Sequence, residues 1–214
     1  MGKVVAWLIF IGVAVAASAI VFAIWDFDLR WRPHTITRDQ AEIAQALDQS
    51  GWVSPHLTGP KLYVIAYRGC ADCARLEAQL FPTLQAAGVD TRVIMIARPD
   101  SNGLAQSTPV ERATVAELWT NRSWKLFQQW SLAQPEVWTA PGAPAADGDA
   151  ARTAVVGAGR QLVETLTPEL QHNGVRFAYP TLIWWTRGGR LRACACTSAE
   201  TYRFVEVELT SPPR

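Results

Sequence analysis

The chain has 214 residues and a formal net charge of +1, enough for one domain of ordinary size plus an appendage, and too little charge for strong attraction to nucleic acid. Ten tryptophans are many for this length. They either fill a core or cover a surface that faces a partner or a membrane.

Val4 to Trp25 holds no charged residue over 22 positions. At helical rise it reaches about 33 Å, enough to cross a hydrocarbon core of about 30 Å. It reads as a transmembrane signal-anchor over residues 1–25. Ala17-Ser18-Ala19 resembles a signal-peptide cleavage site. Apolar residues continue through Ile20-Val21-Phe22, which favours the anchor. Lys3 precedes the span and Arg30, Arg32 and Arg38 follow it, so the flanking charges alone do not favour export. A very short leading tail before a long folded domain is nonetheless the usual signal-anchor plan.

Residues 26–60 read as a juxtamembrane linker with one short helix, Arg38 to Leu47, capped by Thr37 and followed by Gly51. Residues 61–214 read as the folded domain. Lys61 to Tyr67 is apolar nearly throughout, as in a central strand covered on both faces. Cys70 to Ala87 has helical spacing, with Leu76, Leu80 and Leu84 on one face and Gly88 as its stop. Thr91 to Ala97 is the next strand, which makes a βαβ unit with two parallel strands. Thr108 to Trp130 is predicted helical. Thr139 to Asp149 is a Pro/Ala/Gly-rich loop. Ala151 to Leu170 is helical but divided by Gly157, Gly159 and Pro168. Together, residues from about 100 to 174 form a helical insertion. Thr181 to Trp185 and Leu191 to Cys194 then make a hairpin about Arg187-Gly188-Gly189-Arg190, and Ser198 to Leu209 closes the domain as a helix.

Cys70-Ala71-Asp72-Cys73 lies where a strand meets a helix. Two cysteines at this spacing can form and break a disulfide, and the helix start favours the thiolate of Cys70. The same spacing is also half of a zinc site. Asp72 opposes thiolate formation, and Arg68 would offset it if its side chain points there. The other reading of Asp72 is a helix N-terminal acid without redox role. The three histidines, His34, His56 and His172, fall in predicted loops or helix ends and read as solvated.

The order strand, C-x-x-C helix, strand, helical insertion, Tyr179-Pro180, hairpin, helix resembles the thioredoxin fold, and most closely the bacterial periplasmic disulfide isomerases and reductases of the DsbC/DsbG type. The resemblance covers Lys61 to Leu209 and rests on Cys70-Ala71-Asp72-Cys73, Gly88-Val89-Asp90-Thr91-Arg92-Val93 and Gly174-Val175 leading to Tyr179-Pro180-Thr181. It implies an α/β, thioredoxin-like mixed sheet with a helical insertion, which the apolar run Val4 to Trp25 precedes as one transmembrane helix. It implies that Pro180 is cis beside the C-x-x-C, leaving the preceding backbone free to pair with a substrate strand. The family isomerases commonly place threonine before this proline and Gly-Tyr between the cysteines, and they carry an N-terminal dimerisation domain. This chain has Tyr179, Ala71-Asp72 and only a short segment, so an isomerase working through a dimeric cleft is not implied.

The resulting expectation is a membrane-anchored periplasmic thiol–disulfide oxidoreductase, of reductase or isomerase type, whose redox centre is its own disulfide and whose partners are protein substrates with disulfides and a membrane electron donor or acceptor. Cys70 attacks a substrate disulfide and Cys73 resolves the mixed disulfide. With Asp72 against the thiolate, the potential belongs on the reducing side of the range of about −270 to −120 mV.

The remaining cysteines, Cys194 and Cys196, follow 121 positions after Cys73. The hairpin returns them to the sheet edge that holds Cys70. Three readings stay open: a second redox pair relaying electrons, a site that with Cys70 and Cys73 binds zinc or copper(I), or buried small residues or a structural bridge. Same-face strand spacing is wide for a disulfide between them. Two alternatives to the oxidoreductase follow: a copper-handling thioredoxin-fold chaperone using Cys70, Cys73, Cys194 and Cys196, and a redox-inert thioredoxin-fold binding module in a membrane complex.

Overall fold

A computed structural model describes residues 2–211. Met1 and residues 212–214, the outer ends of the expected anchor and domain, lie outside the described residues, as does the Lys3 side chain. The chain divides into two compact units, Met1–Arg32 and Pro33–Arg214.

The first unit is α1, Gly2–Phe27, a helix long and apolar enough to cross a membrane by length and composition. A short 3₁₀ turn, Leu29–Trp31, follows it. Arg30 pairs with Asp26 at 2.6 Å and lies over the Trp31 ring at 4.3 Å.

The second unit is α/β. Its elements are β1 (His34–Thr35), α2 (Gln40–Gln49), β2 (Lys61–Ala66), α3 (Ala71–Ala86), β3 (Asp90–Met95), α4 (Pro109–Asn121), α5 (Trp124–Leu132), α6 (Ala150–Gln171), β4 (Thr181–Trp185), β5 (Leu191–Ala195) and α7 (Tyr202–Thr210). One five-stranded sheet runs β1-β5-β4-β2-β3. β2 and β3 are parallel, and the other pairs are antiparallel. The arrangement is thioredoxin-like, with α4, α5 and α6 inserted between β3 and β4.

Strand periodicity sorts the core into two faces. Leu62, Val64 and Ala66 of β2 join Val93, Leu182, Trp184 and Cys194 in one buried cluster, which α3 and α7 cover with Leu76, Leu80, Leu84, Val205 and Leu209. Tyr63 and Ile65 face the other way, with Ile94, Ile183 and Ala193, under Ile43 and Leu47 of α2 and Leu162, Leu166 and Leu170 of α6. The sheet is therefore buried on both sides, which is why β2 lacks polar alternation.

Of the segment expected to link anchor and domain, residues 26–60, positions 33–60 belong to the second unit. His34 and Thr35 pair with Ala193 and Arg192, and Ile36, Ile43, Leu47 and Val53 are fully buried. The helix begins two residues later than the sequence suggests, because Asp39 takes a left-handed conformation at its N-cap position. Gly51 has a reason beyond stopping that helix: a Cβ there would stand 2.3 Å from the Trp119 ring and 2.6 Å from its Cα.

The predicted Thr108–Trp130 helix is two helices. Thr108 and Glu111 form a reciprocal capping box with Pro109 at the first turn, which fixes the start of α4. Arg122 then turns left-handed, and the Ser123 side chain caps α5 by accepting from Leu126 N–H. Conversely, α6 is one continuous helix despite Gly157, Gly159 and Pro168. Pro168 falls in its last turn, where one lost hydrogen bond costs least. Gly159 lets the Trp119 ring approach, since a Cβ would sit 3.2 Å from it.

Candidate thiol–disulfide site

The site starts at the end of β2. Cys70 N–H donates to Tyr67 O at 3.3 Å, closing a four-residue turn that needs Gly69 at φ +80°. This turn delivers Cys70 to the N-cap of α3, where its Sγ accepts from Cys73 N–H at 3.1 Å. The sulfur that would carry the thiolate thus faces the unpaired N–H groups of a helix start. Cys70 and Cys73 are joined as a disulfide. Both are nearly enclosed, Cys70 at 6% exposure and Cys73 at 3%, with Cys73 turned into the sheet-facing row of Leu76, Leu80 and Leu84.

Tyr179-Pro180 opens β4, and its peptide bond is cis. Pro180 O accepts from Cys196 N–H at 3.0 Å. The Tyr179 ring meets Tyr67 edge-on at 4.9 Å and Phe177 at 5.2 Å. Tyr67 opens the turn to Cys70, so Tyr179 packs against the first residue of that turn. Burial pushes its hydroxyl up to about 12, so it stays a neutral hydrogen-bonding group at ordinary pH. Arg98 caps this aromatic stack, its guanidinium 4.0 Å from the Tyr67 ring centre.

Arg68 does not serve Asp72. Its guanidinium turns to the other side, donating to Trp130 O and Ala133 O at the C-terminal end of α5, with the Trp130 ring 5.3 Å away. A guanidinium matches such a row of unpaired carbonyls and the negative end of the helix dipole. Asp72 finds its cation in Arg75, at 2.7 Å, one turn along α3. Arg75 also donates to Thr197 O at 3.3 Å, tying the start of α3 to the end of β5.

Glu77 is a residue the sequence reading missed. It sits on α3 one turn past Cys73, where burial pushes its carboxyl up to about 7 against the opposing pull of a Ser131 hydrogen bond and the Arg68 charge. Its distance of four residues from Cys73 was the available signal, because i and i+4 share a helix face.

Cys194 and Cys196 also form a disulfide. In an extended strand their Cα atoms would be about 6.6 Å apart, at the outer limit for a bridge. The chain leaves β5 at Ala195, and Thr197 N–H donates to Ala195 O at 2.9 Å, making a tight turn centred on Cys196. The turn brings the two Cα atoms to 5.2 Å, inside the usual disulfide range. The strand spacing, wide for a disulfide, is shortened by this turn. Cys70, Cys73, Cys194 and Cys196 all belong to one buried cluster on one sheet face.

Of the histidines, His172 ends α6 with its Nδ1 3.0 Å from Asp39, and Glu169 completes that exposed group. His34 lies exposed on β1 rather than in a loop.

No protein-family model matches the chain. No curated protein matches it either. Among solved structures the chain is similar to the crystal structure of Salmonella enterica Typhimurium BcfH, with 16% sequence identity over 98% of this chain and 93% of that one, and a TM-score of 0.49.

Proposed function

We propose that the chain is a thiol–disulfide oxidoreductase acting on protein disulfides, anchored by α1 in a bacterial inner membrane with its folded unit in the periplasm. The observation that carries this reading is the Cys70–Cys73 disulfide at the start of α3, reached by the Tyr67–Cys70 turn and flanked by Tyr179-Pro180. Such a disulfide closes and opens without a cofactor. Cys70 is the attacking sulfur, since it stands at the helix N-cap and is the more exposed of the two. Cys73 resolves the mixed disulfide from one turn inside.

The anchor is supported by the length of α1, by its apolar character on all sides, and by Trp25, Arg30 and Trp31 at and just past its end, residue types that settle at a membrane–water boundary. The partners that follow are a disulfide-bearing protein substrate and a membrane donor or acceptor of electrons.

Trapping tests the reading. Cys73→Ser in the full chain is expected to accumulate mixed disulfides with substrate proteins, while Cys70→Ser is not. Absence of trapped species with both variants, or a redox potential that no thiol buffer can define, would remove the oxidoreductase reading. Metal analysis of anaerobically purified protein addresses the copper-chaperone alternative, which expects stoichiometric copper(I) on the reduced thiols.

A further inference from the structure

We propose that Cys194–Cys196 is a second redox couple that exchanges electrons with Cys70–Cys73 inside the protein. The inference rests on the oxidoreductase reading and adds to it an internal store for one electron pair.

Three observations place the couples together. The four cysteines share one buried cluster on one sheet face, with Cys73 pointing from α3 and Cys194 from β5 toward the same core. Arg75, two residues past Cys73, donates to Thr197 O, one residue past Cys196, at 3.3 Å. Cys196 N–H donates to Pro180 O at 3.0 Å, next to Tyr179, whose ring meets Tyr67 at the start of the turn to Cys70. One backbone hydrogen bond and one arginine side chain therefore tie the Cys196 turn to β4 and to α3.

Exposure decides the route. Cys194 is 5% exposed, close to the 6% of Cys70, whereas Cys196 is 0% exposed, so Cys196 is the sulfur that only a group inside the core can attack. Cys73, which shares that buried cluster, is the sulfur assigned to this attack. The step balances without any further reactant. With Cys70 and Cys73 reduced, the Cys73 thiolate attacks Sγ of Cys196. The Cys194–Cys196 bond breaks, and Cys194 leaves as thiolate. The Cys70 thiolate then attacks Sγ of Cys73, closing Cys70–Cys73 and releasing Cys196. Two electrons pass from the first couple to the second, and the two protons of the first dithiol end on the second. The reverse sequence returns them.

The test uses the full chain in detergent, fully oxidised, with thioredoxin kept reduced by its reductase and NADPH as the electron source. Thiols are alkylated at intervals and read by mass spectrometry on two tryptic peptides, Gly69–Arg75 and Ala193–Arg203. New thiols are expected first on Gly69–Arg75 and then on Ala193–Arg203. In the Cys70→Ser/Cys73→Ser variant, reduction of Ala193–Arg203 is expected to slow by about tenfold or more, since the internal attack by Cys73 is lost. Ala193–Arg203 remaining bridged while Gly69–Arg75 turns over would overturn the relay and leave the oxidoreductase reading standing. Equal reduction of Ala193–Arg203 in the variant would overturn it too. If Gly69–Arg75 neither accepts electrons nor passes them to a protein disulfide, both readings fall. Should the double variant not fold, Cys70→Ser alone decides. It is expected to hold Gly69–Arg75 joined to Ala193–Arg203 through Cys73, in a fraction independent of protein concentration, and a folded variant without that linked species refutes the relay.

Discussion

Glu77 carries the sharpest pH dependence near the site. A glutamate ionises near 4.5 when unfolded, and this one near 7 when folded. Between those values the folded chain holds the proton and the unfolded chain does not, so stability falls as pH rises through that window and levels off above it. Glu77→Gln removes the buried charge. Its stability relative to the native chain is expected to improve from pH 5 to pH 8 by on the order of 2 kcal/mol, measured by urea unfolding at each pH. A gap that does not widen with pH would mean the carboxyl is solvated. Arg75 makes a smaller and different contribution. Its pair with Asp72 is more than a third exposed on both sides, which limits it to about 0.2–1 kcal/mol. Arg75→Ala leaves the carboxylate unopposed beside the thiols, destabilises the Cys70 thiolate and moves the couple to a more reducing potential by about 5–20 mV, readable by glutathione titration.

Among the elements, α4 packs closely against the residue just past α2 and against the middle of α6. Trp119 sits over Gly51 and Gly159, and its indole N–H donates to Met95 O at 2.9 Å. Gly51→Ala inserts a methyl group into the ring and the backbone beneath it, so the helices must part. The expected loss is about 1–3 kcal/mol in unfolding free energy, larger than for Gly157→Ala, whose Cβ meets nothing within 4 Å. This junction also shows what the chain's pattern could and could not display. β2 and β4 were legible as short continuous apolar runs, and α3 by the i, i+4 spacing of its buried leucines. The insertion was less so. Gly157 and Gly159 look alike in sequence, yet only Gly159 faces a tryptophan brought from 40 residues away. The break at Arg122 rests on one left-handed residue and one serine cap. At the site, the cysteines and Tyr179-Pro180 were visible as a motif, whereas the directions taken by Arg68 and Arg75 depend on where α5 and Thr197 end up. The Cys196 turn, which makes its disulfide possible, leaves no periodic trace.

For the molecule as a whole, the segment before β2 decides what folds. β1, α2 and Val53 supply Ile36, Ile43, Leu47 and Val53, all at or below 1% exposure. Each fully buried aliphatic side chain contributes roughly 1.5–3 kcal/mol, and four together rival the roughly 5–15 kcal/mol of a typical domain. A chain beginning at Pro33 is expected to unfold in one cooperative transition, and a chain beginning at Lys61 to lose it, as followed by near-ultraviolet circular dichroism during denaturation. A cooperative transition in the shorter chain would restore residues 33–60 to the role of a linker. The same segment does something else at the outer side of β3. Val53 exchanges both backbone hydrogen bonds with Val93, at 2.9 and 2.8 Å, and the Trp119 indole occupies Met95 O. A strand edge left bare is a template on which a second copy of a chain can add its own strand and begin to aggregate. Here two outward-facing positions of that edge are already taken, one by a single valine and one by a side chain, so a neighbouring copy has to break native bonds before it can pair there.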